Sequence, residues 1–477
     1  MIHASVIVAF LIVYMRGAVE APLAGPMGWG AVLAWTLAPL LGAGALYSAV
    51  IWRCARRIDR FGDHRAVRRA ERATRTFNIS AILIHAIAVL GVGWLDLVRD
   101  WMGDVVLVDE LVALAPPVLA LMYGYFAMYP IDRRLREAAL LASIEQGAPV
   151  HPFPSRVRFV LLATRQHVLF MLVPLGAILA WGESTERLAP LVGLNPEGAV
   201  ASGVQMVGAL GVLAVMPPVL CRLWDTVPLA PGPIRDEVME ICKAHGVRVR
   251  ELLLWRTGGV MINGAVIGLL PGLRYVVLTD GLLEALEPEQ VQAVAAHEVG
   301  HVKRRHMFWL ACSVLGVVML LGTPLGWGAN AIPAGLVERV PYGDEWIVAL
   351  LLVFTLLGVL GAMGVVSRRF EWQADAFAVQ HLSGMRRGDA SMRVTPEAAA
   401  AMSGALARVA RLNAIDPDRF TWRHGSIRTR QRRLRALVGR PVNALRVDRM
   451  ARWVKLGALV SVIVGGALVV VDFAFFA

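Results

Sequence analysis

Eight stretches of this chain, at residues 28–52, 77–97, 105–129, 158–181, 201–221, 307–327, 346–366 and 453–475, are apolar along lengths that suffice to cross a bilayer as helix, for which about 20 residues are needed. A water-soluble core has no room for so many. Residues 2–15 form a shorter ninth candidate. They lack a basic start and a small-residue cleavage site, so they read as an uncleaved first helix rather than a signal peptide. With 57% hydrophobic and 18% charged residues in 477, the chain is expected to be mainly α, a polytopic membrane protein of about nine spans.

Charge sets the expected orientation. Nine arginines between Arg53 and Arg75 face only Asp59, Asp63 and Glu71, which marks that segment as cytoplasmic. Alternation then places 130–157, with Arg133, Arg134, Arg136 and Arg156, inside. It places 182–200, with Glu183, Glu186 and Glu197 against Arg187, outside. Segments 222–306 and 367–452 fall inside and 328–345 outside; only Arg16 disagrees. The net charge of +12 thus reads as topology and contact with anionic lipid, and not as nucleic-acid binding, since no aromatic-basic stacking module accompanies it. Cys54, Cys221, Cys242 and Cys312 are expected to be cytoplasmic or intramembrane and unpaired.

Within the segment 222–306 lies His297-Glu298-Val299-Gly300-His301. On a helix, residues four apart leave one face about 40° apart, so His297 and His301 can grip one metal ion. Glu298 stands one position round, able to take a proton from water without being a ligand. Pro288, between Glu287 and Glu289, is a good first-turn residue for that helix. A zinc hydrolase needs a third protein ligand. A further His six residues after His301 is ruled out, because Met307 stands there and Arg304 replaces the Gly of that pattern. Glu371 is the candidate, with Asp375 one turn on to orient a ligating His; a solvated acidic helix face is the alternative. Two spans separate His301 from Glu371, so the chain returns to the side it left. His301 also lies about six helical residues, roughly 9 Å, from the first of those spans, which puts the site at the membrane surface.

Residues 222–290 read as a small α/β unit, with a helix at 234–245, strands at 252–255 and 275–278, and a Gly-rich strand or hairpin at 258–270 around Asn263-Gly264. Cys242 and His245 have a Cys-x-x-His spacing that a plain helix surface explains better than a metal. His306 falls half a turn from His297 on a continuous helix and is excluded from the same ion. Asp109 and Glu110 mark an ion pathway or simply reach water at a span's outer end.

Three blocks, His297 to His301, Ser367 to Ala378, and His424-Gly425-Ser426 with Arg430 and Leu434, resemble the family of membrane zinc metallopeptidases that includes the heat-shock protease HtpX and the type I CAAX prenyl endopeptidase. The resemblance covers roughly residues 230–440; Gly425 stands where the family usually has Pro. It implies one Zn2+ per chain held by His297, His301 and Glu371, Glu298 as general base and Asp375 behind the ligands. It also makes His424 a candidate oxyanion donor with Arg430 as its supporting charge, a basic surface facing lipid headgroups being the alternative. Asn263 becomes a substrate-binding candidate beside an edge strand, a bland turn remaining open.

The expected architecture is a zincin-like α/β catalytic unit interrupted by a transmembrane hairpin: an N-terminal membrane region at 1–221, peptidase parts at 222–306 and 367–452, the hairpin at 307–366 and a last span at 453–477. The expected function is a zinc endopeptidase of the bacterial cytoplasmic membrane, its site facing the cytoplasm, acting on membrane or misfolded polypeptides. A zinc-bearing membrane sensor and a transporter with a chance motif are the alternatives.

Overall fold

The computed structural model describes residues 2–16, 27–145, 151, 153–196, 198–259, 261–340, 343–384, 392–413 and 415–475; Glu197 of the expected outer loop lies outside them. The chain divides into two compact units, residues 1–225 and 226–477.

The first unit is helical. It runs through α1 (Ile2–Arg16), α2 (Trp29–Phe61), α3 (His64–Ala86, continued by a π turn at Ile87–Gly91), α4 (Trp94–Met102), α5 (Val108–Ala113) and α6 (Ala115–Glu145). Then come α7 (Arg156–Ala163), a π stretch at Thr164–Leu169, α8 (Phe170–Leu188), α9 (Ala199–Val215) and α10 (Pro217–Leu223). The basic segment after the second expected span is almost wholly helical. α2 stops at Gly62, whose left-handed φ of 59° favours glycine, and α3 starts at once because the Asp63 side chain accepts from the Arg65 N–H. Arg16, the residue that disagreed with the charge pattern, is buried and bidentate on Asp96, so its charge is compensated locally.

The expected span at 105–129 is not one helix. The chain turns before α5, and α6 then carries its apolar part into Asp132, Arg133, Arg134 and Arg136. Asp109 and Glu110 do not reach water as expected: both are buried, and Arg99 bridges them at 2.7 and 2.8 Å. Among the described residues, six helical stretches are long and apolar enough to cross a membrane. The count is seven if α9 and α10, bent by 49° between Val215 and Pro217, form one span, against the nine expected; α1 is a shorter apolar helix.

The second unit opens with β1 (Thr226–Pro228), α11 (Pro233–Ala244), β2 (Glu251–Trp255), β3 (Gly264–Ile267) and β4 (Tyr275–Thr279). The helices α12 (Asp280–Ala285), α13 (Pro288–Lys303), α14 (His306–Asn330), α15 (Ala334–Val337), α16 (Gly343–Leu382), α17 (Pro396–Leu412), α18 (Ile427–Arg435) and α19 (Arg446–Phe475) follow. The sheet order is β1-β2-β4-β3, with β2 and β4 parallel and both outer pairs antiparallel. β4, covered on both faces, is buried at every position, as its unbroken apolar run requires. The Gly-rich stretch is no hairpin in itself: β3 pairs with β4 and forms an edge. Leu252, Val276, Leu278, Val299, Phe377, Met402 and Leu434 join sheet and helices in one core. Cys242 belongs to this core and is no helix surface, while buried His245 bonds His381 at 2.9 Å.

Candidate metal centre

Two helices carry the site. α13 is started by Pro288 and by a reciprocal cap between Glu287 and Gln290, and it buries Val291, Ala295, Ala296 and Val299. α16 runs unbroken for 40 residues, about 60 Å, from the hairpin into the core, so the second half of the site rides on the end of a membrane-length helix. The two approach closely at Gly300, where a Cβ would lie 2.9 Å from Phe377 Cδ1.

This crossing brings His297, His301 and Glu371 together as a group able to hold a metal ion. His297 Nε2 lies 3.2 Å from His301 Nε2, and each nitrogen lies 3.7 Å from a Glu371 oxygen. Tetrahedral zinc with bonds of about 2.0–2.1 Å holds its ligand atoms about 3.4 Å apart, so the donor set fits that ion.

The rings are oriented from behind. His297 Nδ1 lies 3.0 Å from Asp375 Oδ1, which fixes the proton on Nδ1 and leaves the Nε2 lone pair for a cation. His301 is fixed by a chain of contacts. Gln373 Nε2 donates to Asp448 Oδ1 at 2.7 Å, so Gln373 Oε1 accepts from His306 Nε2 at 3.0 Å. In a neutral ring His306 Nδ1 is then the acceptor, and His301 Nδ1, 2.9 Å away, must donate. Once again the free lone pair is on Nε2. His306 is buried and stacks on Phe370 with ring centroids 4.4 Å apart. The sequence reading missed this contact because it assumed one continuous helix. α13 ends at Lys303, Arg305 adopts a left-handed φ of 55°, and α14 starts afresh at His306, with no Gly or Pro to signal the break.

Arg430 is not placed as the support of His424. Its buried guanidinium is bidentate on Asp375 at 2.6 and 2.8 Å and lies 3.2 Å from Glu371 Oε2. Burial alone would lower its pKa, but the two carboxylates win and raise it. Arg430 therefore neutralises and positions both acids. His424, with 53% of its side chain exposed, approaches Glu371 Oε1 to 2.9 Å. Gly425 has a φ of 75°, which the ring of a proline cannot adopt, so this turn differs from one built on His-Pro-Ser.

Glu298 is half-buried, and burial pushes its carboxyl up to about 7. β3 passes beside it: at Gly264 a Cβ would lie 3.0 Å from Val294 Cγ1 and 3.7 Å from Glu298 Cγ. Asn263 bonds Thr279 twice, its N–H donating to the side-chain Oγ1 and its C=O accepting from the Thr279 N–H, both at 3.0 Å. By the antiparallel alternation, the backbone groups of Gly264 and Val266 therefore point away from β4, and a Val266 backbone group bonds the Glu298 carboxylate. The main chain of Asn263 is committed, whereas that of Gly264 is turned to the edge.

Residues 259–437, which hold all of these candidates but not Asp448, match the family profile described as Peptidase family M48. The chain is 31% identical over 134 residues to the protease HtpX homolog of Desulforapulum autotrophicum, covering 27% of this chain and 42% of that protein. It is 37% identical over 113 residues to the protease HtpX of Pseudomonas putida, covering 22% and 37%. The matched region thus spans about two fifths of the length of these curated relatives. The crystal structure of S. mikatae Ste24p aligns with 86% of this chain and 99% of that one, at 16% identity and a TM-score of 0.46. Residues 259–437, over which the chain resembles the M48 family, contain the three sequence blocks.

Proposed function

We propose that this protein is a membrane-embedded zinc endopeptidase whose peptidase parts, 222–306 and 367–452, are separated by the α14–α16 hairpin. One observation carries the reading: three donors spaced for a tetrahedral ion sit beside a carboxyl with raised proton affinity and an open strand edge. Zn2+ held by His297, His301 and Glu371 would supply a Lewis acid that activates water and polarises the peptide carbonyl.

The chain's own groups do the rest. Gly264 and the C=O of Val266 bind an extended polypeptide as an added strand, with Asn263 at the entrance. Glu298, poised near neutrality, takes the proton of the attacking water and returns it to the leaving nitrogen. His424 donates to the developing oxyanion, while Arg430 and Asp375 hold the ligands. The site faces the cytoplasm of a bacterial membrane, an orientation supported by the charge alternation along the chain, and its substrates are membrane or misfolded polypeptides.

The test is purified full-length protein with an unfolded fluorescent polypeptide. About one zinc per chain is expected; His297→Ala or His301→Ala loses it, because two ligands hold zinc poorly. Glu298→Gln keeps zinc and loses hydrolysis by about 100-fold or more, since an amide cannot accept the proton. Full zinc in the histidine variants, or retained turnover in Glu298→Gln, overturns the assignment.

A further inference from the structure

Arg430 and Asp375 also line a second feature, a cavity of about 450 Å3 bounded by Trp372, α18, the turn after it and the first turn of α19. Its wall is apolar, with Leu434, Leu437, Leu445, Val447 and Met450. Around it stand Arg433, Arg440, Arg446 and Arg449. Among the described residues, none of these four has a carboxylate within ion-pair distance, and the one acid lining the cavity, Asp375, is taken by Arg430.

Three observations point to an anion. Arg433 lies 3.5 Å over the Trp372 indole and Arg369 4.9 Å from the same ring, so cations crowd one wall. The Trp372 Nε1–H is buried with no acceptor. Arg446 and Arg449 occupy the first turn of α19, where the helix dipole repels cations, so helix stability does not account for them. Placement points to lipid: α19 continues from this turn as a membrane-length apolar helix, and a free inorganic anion would have no use for five apolar side chains.

We propose that this pocket binds one anionic phospholipid, its phosphate held by Arg433, Arg440, Arg446 and Arg449 and its glycerol–acyl shoulder laid against the leucine wall. The pocket shares Arg430 and Asp375 with the metal centre, but none of the four phosphate-holding arginines belongs to that centre, and the test does not read hydrolysis.

Full-length protein is incorporated into nanodiscs of phosphatidylcholine alone or mixed with phosphatidylglycerol, extracted with detergent, and weighed intact by native mass spectrometry. One phosphatidylglycerol per chain is retained and phosphatidylcholine is not. R440Q/R446Q/R449Q lowers retention on the order of 100-fold, a factor of about five per arginine. R53Q/R57Q/R60Q, which removes three exposed arginines of the first unit, leaves retention unchanged. Equal loss in the two triple variants would show diffuse attraction and overturn the site, as would equal retention of the two lipids. If inorganic phosphate protects the wild type against heat while no phosphatidylglycerol is retained, the pocket takes free phosphate and the lipid assignment fails. The headgroup comparison uses the wild type alone, so a misfolded variant does not decide the matter.

Discussion

His306 shows how a residue outside the HExxH run governs it. Because Gln373 and Asp448 dictate which ring nitrogen of His306 carries hydrogen, they dictate through it which nitrogen of His301 faces the ion. Groups behind metal ligands typically change metal affinity by about 10- to 100-fold. His306→Ala is therefore expected to weaken zinc binding by that factor in a chelator competition, with Gln373→Leu following it. Unchanged affinity in His306→Ala would reduce the chain of contacts to packing. His424 separates differently. Arg430 already holds Glu371, and His424 is exposed, so His424→Ala should lower kcat on the order of 100-fold while zinc content and KM hardly move. A variant that instead loses zinc would make His424 a support of Glu371, and the oxyanion donor would have to come from the β3 edge. The motif residues were legible because a four-residue spacing on a helix has one geometric meaning. The residues behind His301 were not, because an unmarked helix break at Arg305 moved His306 to a place no helical wheel gives it.

At the level of elements, the site depends on how near α13 and α16 come. Gly300, inside the motif, is the contact: a methyl there would meet the buried Phe377 ring, which is fixed in the core and cannot swing aside cheaply. Overpacking of this kind typically costs about 1–3 kcal/mol. Gly300→Ala should lower the unfolding temperature and, by spreading the helices, weaken zinc binding, whereas Ala296→Gly would loosen α13 without moving α16. Wild-type stability in Gly300→Ala would mean that the helices have room to spare. The sheet was half legible. β2 and β4 announced themselves as short apolar runs, but the Gly-rich stretch between them gave two readings, because Asn-Gly suits both a tight turn and the entry to an edge strand. What decided it was Gly264, whose missing side chain lets β3 lie over Val294 and Glu298, a tertiary contact invisible to local pattern. The single long α16 was hidden for a related reason: apolar run and acidic motif look like two segments until one helix is seen to carry both.

For the molecule as a whole, sidedness turns on α6. The relation between His301 and Glu371 is insensitive to the N-terminal count, since α14 and α16 are both long and apolar enough to cross and the chain returns whatever happened before. The side on which both lie does depend on that count. Apolar runs were read from sequence as spans wherever they were long enough, and at 105–129 the run bends at α5 and passes into a charged second half of α6, so it fails as a uniform span. If α6 does not cross, Arg133, Arg134, Arg136 and Arg156 change sides relative to the Arg53–Arg75 segment, against the preference that places arginines in the cytoplasm. The apolar half, Ala115 to Ile131, is about 25 Å long as helix, close to the hydrocarbon thickness, and the charge asymmetry favours a crossing. Reporters fused after Arg65, Glu145 and Arg387, the last outside the described residues, should therefore read cytoplasm, and those after Glu186 and Pro333 the opposite side. A signal at Glu145 opposite to that at Arg65 would make α6 a surface helix and shift every later segment. A cytoplasmic signal at Pro333 would break the hairpin itself, and Glu371 could then no longer meet His297 and His301 by way of a membrane return.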